Sequence, residues 1–413
     1  MNASPSLVHV LEITRKLAGH FELKDMVFEV LDAAKAVLQA DSGSVWLLDE
    51  TTGRLDMYLP EMTPRVSVGA GEGIVGECLT NRAIINVPDC YADPRFNKRV
   101  DRDTGYVTRT LLSVPLMGTG DKKVVGVMQL LNHVDGPFTA EDEALATALA
   151  AQSAIALQRA RMMDALLEQE RIREELSLAR EMQMSTLPAS MPGIPGYDFA
   201  GGFSPAEQVG GDMFDIASIG DKVFILLGDA TGHDFSAALS ATQMHAMLKA
   251  ALGAGAALGD ALRVVNNQLA ESLPDNRFLT AFVGFLDPAT NAISYHAPGQ
   301  GPIMVYRAAD DSFEWLPPSS FPVGILPQEE MDPAQVISLG TGDIVGVISD
   351  GLFECEDPQG EAFGEARTES TVRQHHRGTM EALRLALMTR VVAHSGGHPQ
   401  ADDITVVLVR RDQ

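Results

Sequence analysis

Cysteine and tryptophan are scarce, basic residues are outnumbered, and no long apolar run is present. Each scarcity removes a class of protein. The three cysteines in 413 residues, Cys78, Cys90 and Cys355, are far apart and odd in number. They build neither a disulfide framework nor a zinc knuckle, and they fit a reducing compartment. Lys and Arg total 31 against 56 Asp and Glu, a formal net charge of −25. Such a surface repels nucleic acid and anionic lipid, which excludes a phosphate-backbone binder. The apolar stretch 144–157 is broken by Thr147, Gln152 and Ser153, so no membrane span is expected. Residues 1–19 carry an amphipathic pattern (Leu7, Leu11, Ile13, Leu17) instead of the apolar core of a signal peptide. A cytoplasmic protein is expected.

Several catalytic devices are missing too. No Gly-x-Ser-x-Gly elbow occurs, and no G-x-G-x-x-G or Walker loop is read in a strand–helix context. A cysteine phosphatase needs Cys, five residues, then Arg around a phosphate. Arg82 is too near Cys78, Arg95 stands one position short after Cys90, and Cys355 has no suitable Arg.

What is present divides the chain into three. Over 7–157, short β-like runs (44–49, 111–116, 124–131) lie between helical stretches, which reads as an α/β sensory domain with helices flanking an antiparallel sheet. Its closing helix starts after Gly136-Pro137, with Thr139 as cap and Asp142 and Glu143 in the positive first turn. Residues 154–187 hold neither Gly nor Pro and are densely charged. Ile155, Met162, Leu166, Leu176 and Leu187 sketch a 4,3 seam, interrupted by Arg159, Gln169, Arg173, Arg180 and Gln183. Both a two-stranded coiled coil and a helix folded back on its own domain fit that pattern. From Tyr197 onward, strand-like runs (223–227, 282–286, 344–348, 404–409) alternate with helical segments (237–252, 258–272, 379–393), an α+β layered packing. The expected domains are 1–157, a helical linker 158–190, and 191–413.

The last region carries one recurring feature. Asp212 ends Val-Gly-Gly-Asp, Asp229 follows an apolar run, Asp350 follows another, and Asp402-Asp403 precede the last. A lone acid beside Gly is usually a turn residue. Four repetitions next to buried strands argue for carboxylates gathered around cations, because clustered acids repel unless protonated or bridged. Oxygen ligation without a His/Cys set favours Mg²⁺ or Mn²⁺ over Zn²⁺.

Positions 173–410 resemble SpoIIE-type (RsbU-like) phosphatases of the metal-dependent protein phosphatase (PPM) family. The matching segments are Glu-Leu-Ser-Leu-Ala-Arg-Glu-Met-Gln (175–183), Val-Gly-Gly-Asp-Met-Phe-Asp (209–215), Gly-Asp-Ala-Thr-Gly-His-Asp (228–234), Arg-Phe-Leu-Thr-Ala-Phe (277–282), Ser-Asp-Gly-Leu-Phe-Glu-Cys (349–355), Phe-Gly (363–364) and Asp-Asp-Ile-Thr (402–405). The resemblance implies an α/β/β/α sandwich and two Mn²⁺ or Mg²⁺ ions. It makes Asp229 the bridging acid and the Ala230 carbonyl a further ligand. Asp212, Asp350 and Asp402 would hold one metal or the other, with Asp403 a less certain neighbour. Asp212 and Asp229 would then act through a metal-bound water attacking phosphorus in line. The chain departs from the family at Asp234, where Gly is usual, and at Pro298-Gly299-Gln300, where Ala-Gly-His is common. His233 is read as holding its loop by a hydrogen bond in preference to acid–base work.

The segment 7–157 resembles a GAF domain, most of all over 89–106 and the following Thr-Arg-Thr-Leu-Leu-Ser-Val-Pro-Leu, in a manner similar to GAF domains of cyclic-nucleotide phosphodiesterases. Their Asn-Lys…Phe-x-x-x-Asp-Glu signature is matched by Asn132, Phe138, Asp142 and Glu143, with His133 in the Lys position. The resemblance implies a ligand site on those residues, for a cyclic nucleotide or another small molecule. The opposing reading is a dimerisation domain with a filled pocket.

Together these imply a phosphoserine/phosphothreonine protein phosphatase under GAF control, homodimeric through GAF and linker. By resemblance its substrate would be a phosphorylated anti-sigma-factor antagonist of the STAS type in a bacterial partner-switching pathway. A catalytically silent sensor or scaffold that keeps the fold is the alternative.

Overall fold

The computed structural model describes residues 22–58, 66–118, 123–274 and 276–412, and the amphipathic pattern of residues 1–19 lies outside them. The chain divides into two compact units, Met1–Ile172 and Arg173–Gln413.

The first unit is built on a six-stranded antiparallel sheet in the order β3-β2-β1-β6-β5-β4. Its strands are β1 (Ala40–Leu48), β2 (Leu55–Tyr58), β3 (Ser67–Val68), β4 (Ile85–Val87), β5 (Leu111–Met117) and β6 (Val124–His133). One face packs on the helix Leu23–Val37, through Met26, Val30 and Leu31, and on the start of a long helix, through Ala146, Leu149 and Leu157. Trp46, Leu55 and Val127 of the other face pack on Val75 and Cys78 of the helix Gly73–Asn81. The long helix runs Ala140–Thr186, 47 residues. It opens as expected: Thr139 Oγ1 accepts from the Asp142 N–H at 3.3 Å, and Asp142 Oδ2 accepts from the Thr139 N–H at 2.7 Å. One expectation needs correction. Gly71-Glu72-Gly73-Ile74-Val75-Gly76 does stand between β3 and a helix. Yet β3 is two residues long and pairs antiparallel with β2 at the sheet's edge, so no parallel βαβ unit forms to cradle a dinucleotide.

The second unit is a four-layer sandwich. One sheet has the order β14-β11-β10-β9-β8 and the other β13-β12-β15-β16-β7. The strands are β7 (Tyr197–Ser204), β8 (Asp212–Ile219), β9 (Lys222–Ala230), β10 (Leu279–Asp287), β11 (Ala292–His296), β12 (Ile303–Arg307), β13 (Ser312–Leu316), β14 (Gln335–Ser338), β15 (Ile344–Ile348) and β16 (Ile404–Arg411). Each presents alternate residues to the space between the sheets, as the two-residue strand period demands. Phe214 and Ile216, Val223 to Leu227 by twos, Phe282, Val345 and Val347, and Val407 and Val409 fill it. Helices Phe235–Gly253 and Leu258–Ser272 cover the outer face of the first sheet. Helices Gly364–His375 and Met380–His394 cover the second. The mixed fold class and the α/β/β/α order match the expectation. Among the described residues no helix is long and apolar enough to cross a membrane.

Phe282 is fully buried and stacks on Tyr295 at 5.0 Å between ring centroids. Phe282→Ala should destabilise this unit by about 3–5 kcal/mol through lost burial and an unfilled cavity, read as a lower midpoint in urea unfolding.

Candidate metal centre

The acids arise from the same alternation that builds the core. On β8 the inward series Ile216, Phe214 continues to Asp212; on β9 Val223, Ile225, Leu227 continues to Asp229; on β16 Val409, Val407, Thr405 continues to Asp403. Each is the next inward position, where the apolar slot runs out. Asp212 and Asp229 are register partners across the β8–β9 pair. β15 and β16 are antiparallel neighbours, so Asp350, just past β15, comes to the same end as Asp402 and Asp403, just before β16.

Asp212 and Asp403 are buried, whereas Asp350 and Asp402 open to solvent. Asp212 Oδ2 accepts from Thr405 Oγ1 at 2.6 Å, which ties the two sheets together. Asp403 accepts from the Ala206 N–H at 2.7 Å and from the Asp212 N–H at 3.3 Å, so it anchors the 206–212 loop. The Asp402 carboxylate accepts from the Asp403 N–H at 2.8 Å. Gly211 lies against this corner: a Cβ there would fall 2.6 Å from the Ala230 carbonyl oxygen. Ala230 itself is buried.

No Lys or Arg pairs with any of these five acids among the described residues, and the charges act on one another. Burial first, then the charge of Asp229, raise Asp212 well above the carboxylate range. Burial and the charges of Asp350, Asp402 and Asp403 push Asp229 up to about 7, and Asp212 hydrogen-bonds it. Burial raises Asp403, and loss of surrounding water with the charges of Asp402 and Glu354 raises Asp350. Among the described residues no three such side chains are disposed to enclose an ion as they stand. The donor set fits hard divalent cations: it is all oxygen, it is negative in excess, and its repulsion has no other counter-charge.

Nδ1 of His233 is 3.4 Å from Glu207 Oε1 without making a hydrogen bond, so this nitrogen does not hold the loop as expected. Asp234 caps the helix Phe235–Gly253 by accepting from the Ala237 N–H at 2.9 Å, and it pairs with Arg277 at 2.7 Å. Gln300 is buried between Thr280 Oγ1 at 3.1 Å and the Ile348 carbonyl at 3.0 Å, bridging the sheets. Sequence reading gave no role to Asp215, whose Oδ2 meets both His245 Nε2 and Lys249 Nζ at 2.8 Å. Burial alone would raise its carboxyl; the bonds from His245 and Lys249 overcome this and hold it low. The signal was available, since an acid in phase with Met213 faces an apolar helix layer and needs a cation there.

In the first unit Asn132 Oδ1 accepts from the Arg109 N–H at 2.6 Å, and Nδ2 donates to the Val107 carbonyl at 2.8 Å. Phe138 is buried in the core, and its carbonyl accepts from Asn86 Nδ2 at 2.9 Å. Glu143 accepts from the same Asn86 nitrogen at 2.8 Å, and Asp142 caps the long helix. A cavity of about 390 Å³ lies elsewhere, over Tyr91, Asp93, Phe96, Lys98, Arg99 and Arg102. Burial pushes the Cys78 and Cys90 thiols up to about 12, out of nucleophilic range.

The family model for stage II sporulation protein E (SpoIIE) matches residues 219–412, and the GAF model matches 22–157. This chain joins a GAF domain to a SpoIIE-family domain. The SpoIIE model's match begins after Asp212. The SiaA-PP2C domain of Pseudomonas aeruginosa shares the fold of the SpoIIE-family part at TM-score 0.51 and 20% identity, covering 59% of this chain and 98% of that one. The RsbU and RsbW domains of a Mycobacterium tuberculosis protein are similar at TM-score 0.46 and 25% identity, covering 54% of this chain and 62% of that one. A probable 3',5'-cyclic phosphodiesterase, pde-5 of Caenorhabditis elegans, is 27% identical over 170 residues, 38% of this chain and 23% of its own length. The chain thus spans about a quarter of that curated relative.

The raised acids give the SpoIIE-family domain a pH signature. Asp229 rises on folding from 3.8 to about 7, so the folded state takes up protons in between, and stability falls as pH rises through that window. In EDTA, thermal unfolding between about pH 4 and about pH 7 should show this fall, and Asp229→Asn should flatten it.

Proposed function

We propose that the chain is a metal-dependent serine/threonine phosphoprotein phosphatase, with Asp212, Asp229, the Ala230 carbonyl, Asp350 and Asp402 holding two Mn²⁺ or Mg²⁺ ions. The observation that carries it is the set of acids at one end of the sandwich, continuing its inward alternation, with no Lys or Arg paired to them among the described residues. Two such ions, when bound, would supply positive charge against a phosphate group and acidify a water molecule. The chain's own part is to keep the acids converged. Thr405 orients Asp212. Asp403, by gripping backbone N–H groups, supports Asp212 more than it offers free oxygens.

By family resemblance, the substrate is a phosphorylated anti-sigma-factor antagonist in a partner-switching pathway. Residues 1–157 are the regulatory part, joined to 191–413 through the linker 158–190, which is helical as far as Thr186. A cyclic nucleotide is the candidate ligand of the GAF domain. Support comes from the similarity to pde-5 and from the cationic cavity, more than from Asn132, Phe138, Asp142 and Glu143, whose polar groups bond within the protein. Titration calorimetry with cyclic AMP and cyclic GMP tests it, and no heat with either would sink it. Ile155, Met162 and Leu166 lie exposed on one stripe of the long helix, the surface a second copy would cover in a homodimer.

The wild type should hydrolyse p-nitrophenyl phosphate and a phosphoserine protein with Mn²⁺. Asp229→Asn should lose at least about a hundredfold, the upper end of what losing a mere supporter of a ligand costs. No metal-dependent turnover on either substrate would leave the silent-scaffold reading in its place. Removing residues 1–150 should change turnover if the GAF domain governs it. Equal turnover and equal Mn²⁺ affinity would end that idea, and sedimentation of the same preparation reports whether the helix alone pairs two copies.

A further inference from the structure

Gln183 closes the 175–183 segment, and the proposed chemistry gives it nothing to do. It is 5% exposed, while its neighbours Met182 and Met184 are 72% and 41% exposed. Both ends of its amide meet one residue. Nε2 donates to the Gly210 carbonyl at 2.6 Å, and Oε1 accepts from the Gly210 N–H at 3.2 Å. One turn earlier, Arg180 Nη1 donates to the Gln208 carbonyl at 3.1 Å.

The gripped loop is the one that delivers Asp212. Gly210 is pinched between Gln183 and Asp403, since a Cβ at Gly210 would collide with the Asp403 carboxylate. The neighbouring Gly211 carbonyl accepts from the Ala230 N–H at 3.1 Å, next to Asp229. Asp403 in turn holds the loop at Ala206 and Asp212. We propose that Gln183 is a positioning residue of the acid cluster: its amide clamps the Gly210 backbone and so fixes Asp212 against Asp229 and Asp403.

A primary amide suits this task. It offers a donor and an acceptor side by side, matching the N–H and C=O of one residue. Glu at 183 keeps only the acceptor, and Met keeps neither while preserving helix propensity. Helix end and loop both belong to the Arg173–Gln413 unit. Displacing the last turns of the helix therefore pulls on the Gly210 peptide, and the helix becomes a handle on the site. This consequence for catalysis rests on the phosphatase reading; the clamp itself does not.

Full-length wild type, Gln183→Met and Gln183→Glu are compared by amide hydrogen exchange over 205–212, by Mn²⁺ titration calorimetry, and by the Mn²⁺ dependence of p-nitrophenyl phosphate hydrolysis. Gln183→Met should lose protection over 205–212 while β9 and β10 keep theirs. It should weaken Mn²⁺ binding about 10–100-fold, the usual cost of losing a group that orients ligands. More Mn²⁺ should be needed for half-maximal rate, with the KM for the phosphoester unchanged, and Gln183→Glu should fall between. Unchanged exchange and Mn²⁺ affinity would overturn the proposal. So would loss of protection spread evenly over the unit in both variants, which marks a merely structural contact. A wild type that hydrolyses nothing would remove the phosphatase reading and leave the exchange result to decide the clamp.

Discussion

Mutual repulsion among carboxylates at one end of the sandwich is the constraint around which the C-terminal unit is arranged. Asp212, Asp229 and Asp403 occupy positions that the strand alternation would otherwise fill with apolar side chains. Burying even one ionised carboxylate without a partner is expensive, and burying neighbours of like charge is worse. The protein answers with neutral donors: the Thr405 hydroxyl on Asp212 and backbone N–H groups on Asp403. The excess charge is left standing. Elsewhere the same unit pairs its buried acids in the ordinary way, Asp215 with His245 and Lys249 and Asp343 with Arg307. The contrast between the two buried sets, one neutralised by the chain and one not, separates scaffold from site.

The parts of this that were legible beforehand share a property. Asp229, Asp350 and Asp402-Asp403 flank runs of four or more apolar residues, which mark central strands whatever their partners. β9, β15 and β16 were therefore readable, together with the helices 237–252 and 258–272. β8 was not. It reads Asp-Met-Phe-Asp-Ile-Ala-Ser-Ile, and its two acids disguise the alternation that makes it a strand. β11 to β14 are four or five residues each, and the edge strands β13 and β14 carry little burial signal. In the first unit the helices Leu23–Val37 and Gly73–Asn81 carry no side-chain cap bond to mark their starts.

Contacts that depend on a third element were the least legible of all. Gln300 stands out in the sequence only as a departure from the family, where His is common. Its burial between Thr280 and Ile348 depends on where two sheets meet, which no local pattern encodes. Gln183 broke the seam of the long helix and looked like an imperfection in it. Its amide is turned instead to a backbone 27 residues onward in the chain.

That placement limits how any signal could reach the acids. β8, β9 and β16 are pinned by register and by a close-packed core, which resists gradual deformation. The 206–212 loop is different: it is held by side-chain-to-backbone bonds at Ala206, Gln208, Gly210 and Asp212, any of which can break singly. A regulator acts only through a difference in free energy between two states of the protein. In this unit the cheapest such difference is the loss of one or two hydrogen bonds, on the order of 1–3 kcal/mol when a buried partner is left unsatisfied. A change of that size alters an equilibrium by roughly five- to 150-fold, the scale of allosteric coupling. The helix end that carries Arg180 and Gln183 makes two of the four contacts on the loop. It can therefore loosen Asp212 at the start of β8 while β9, which carries Asp229, keeps its pairing with β10.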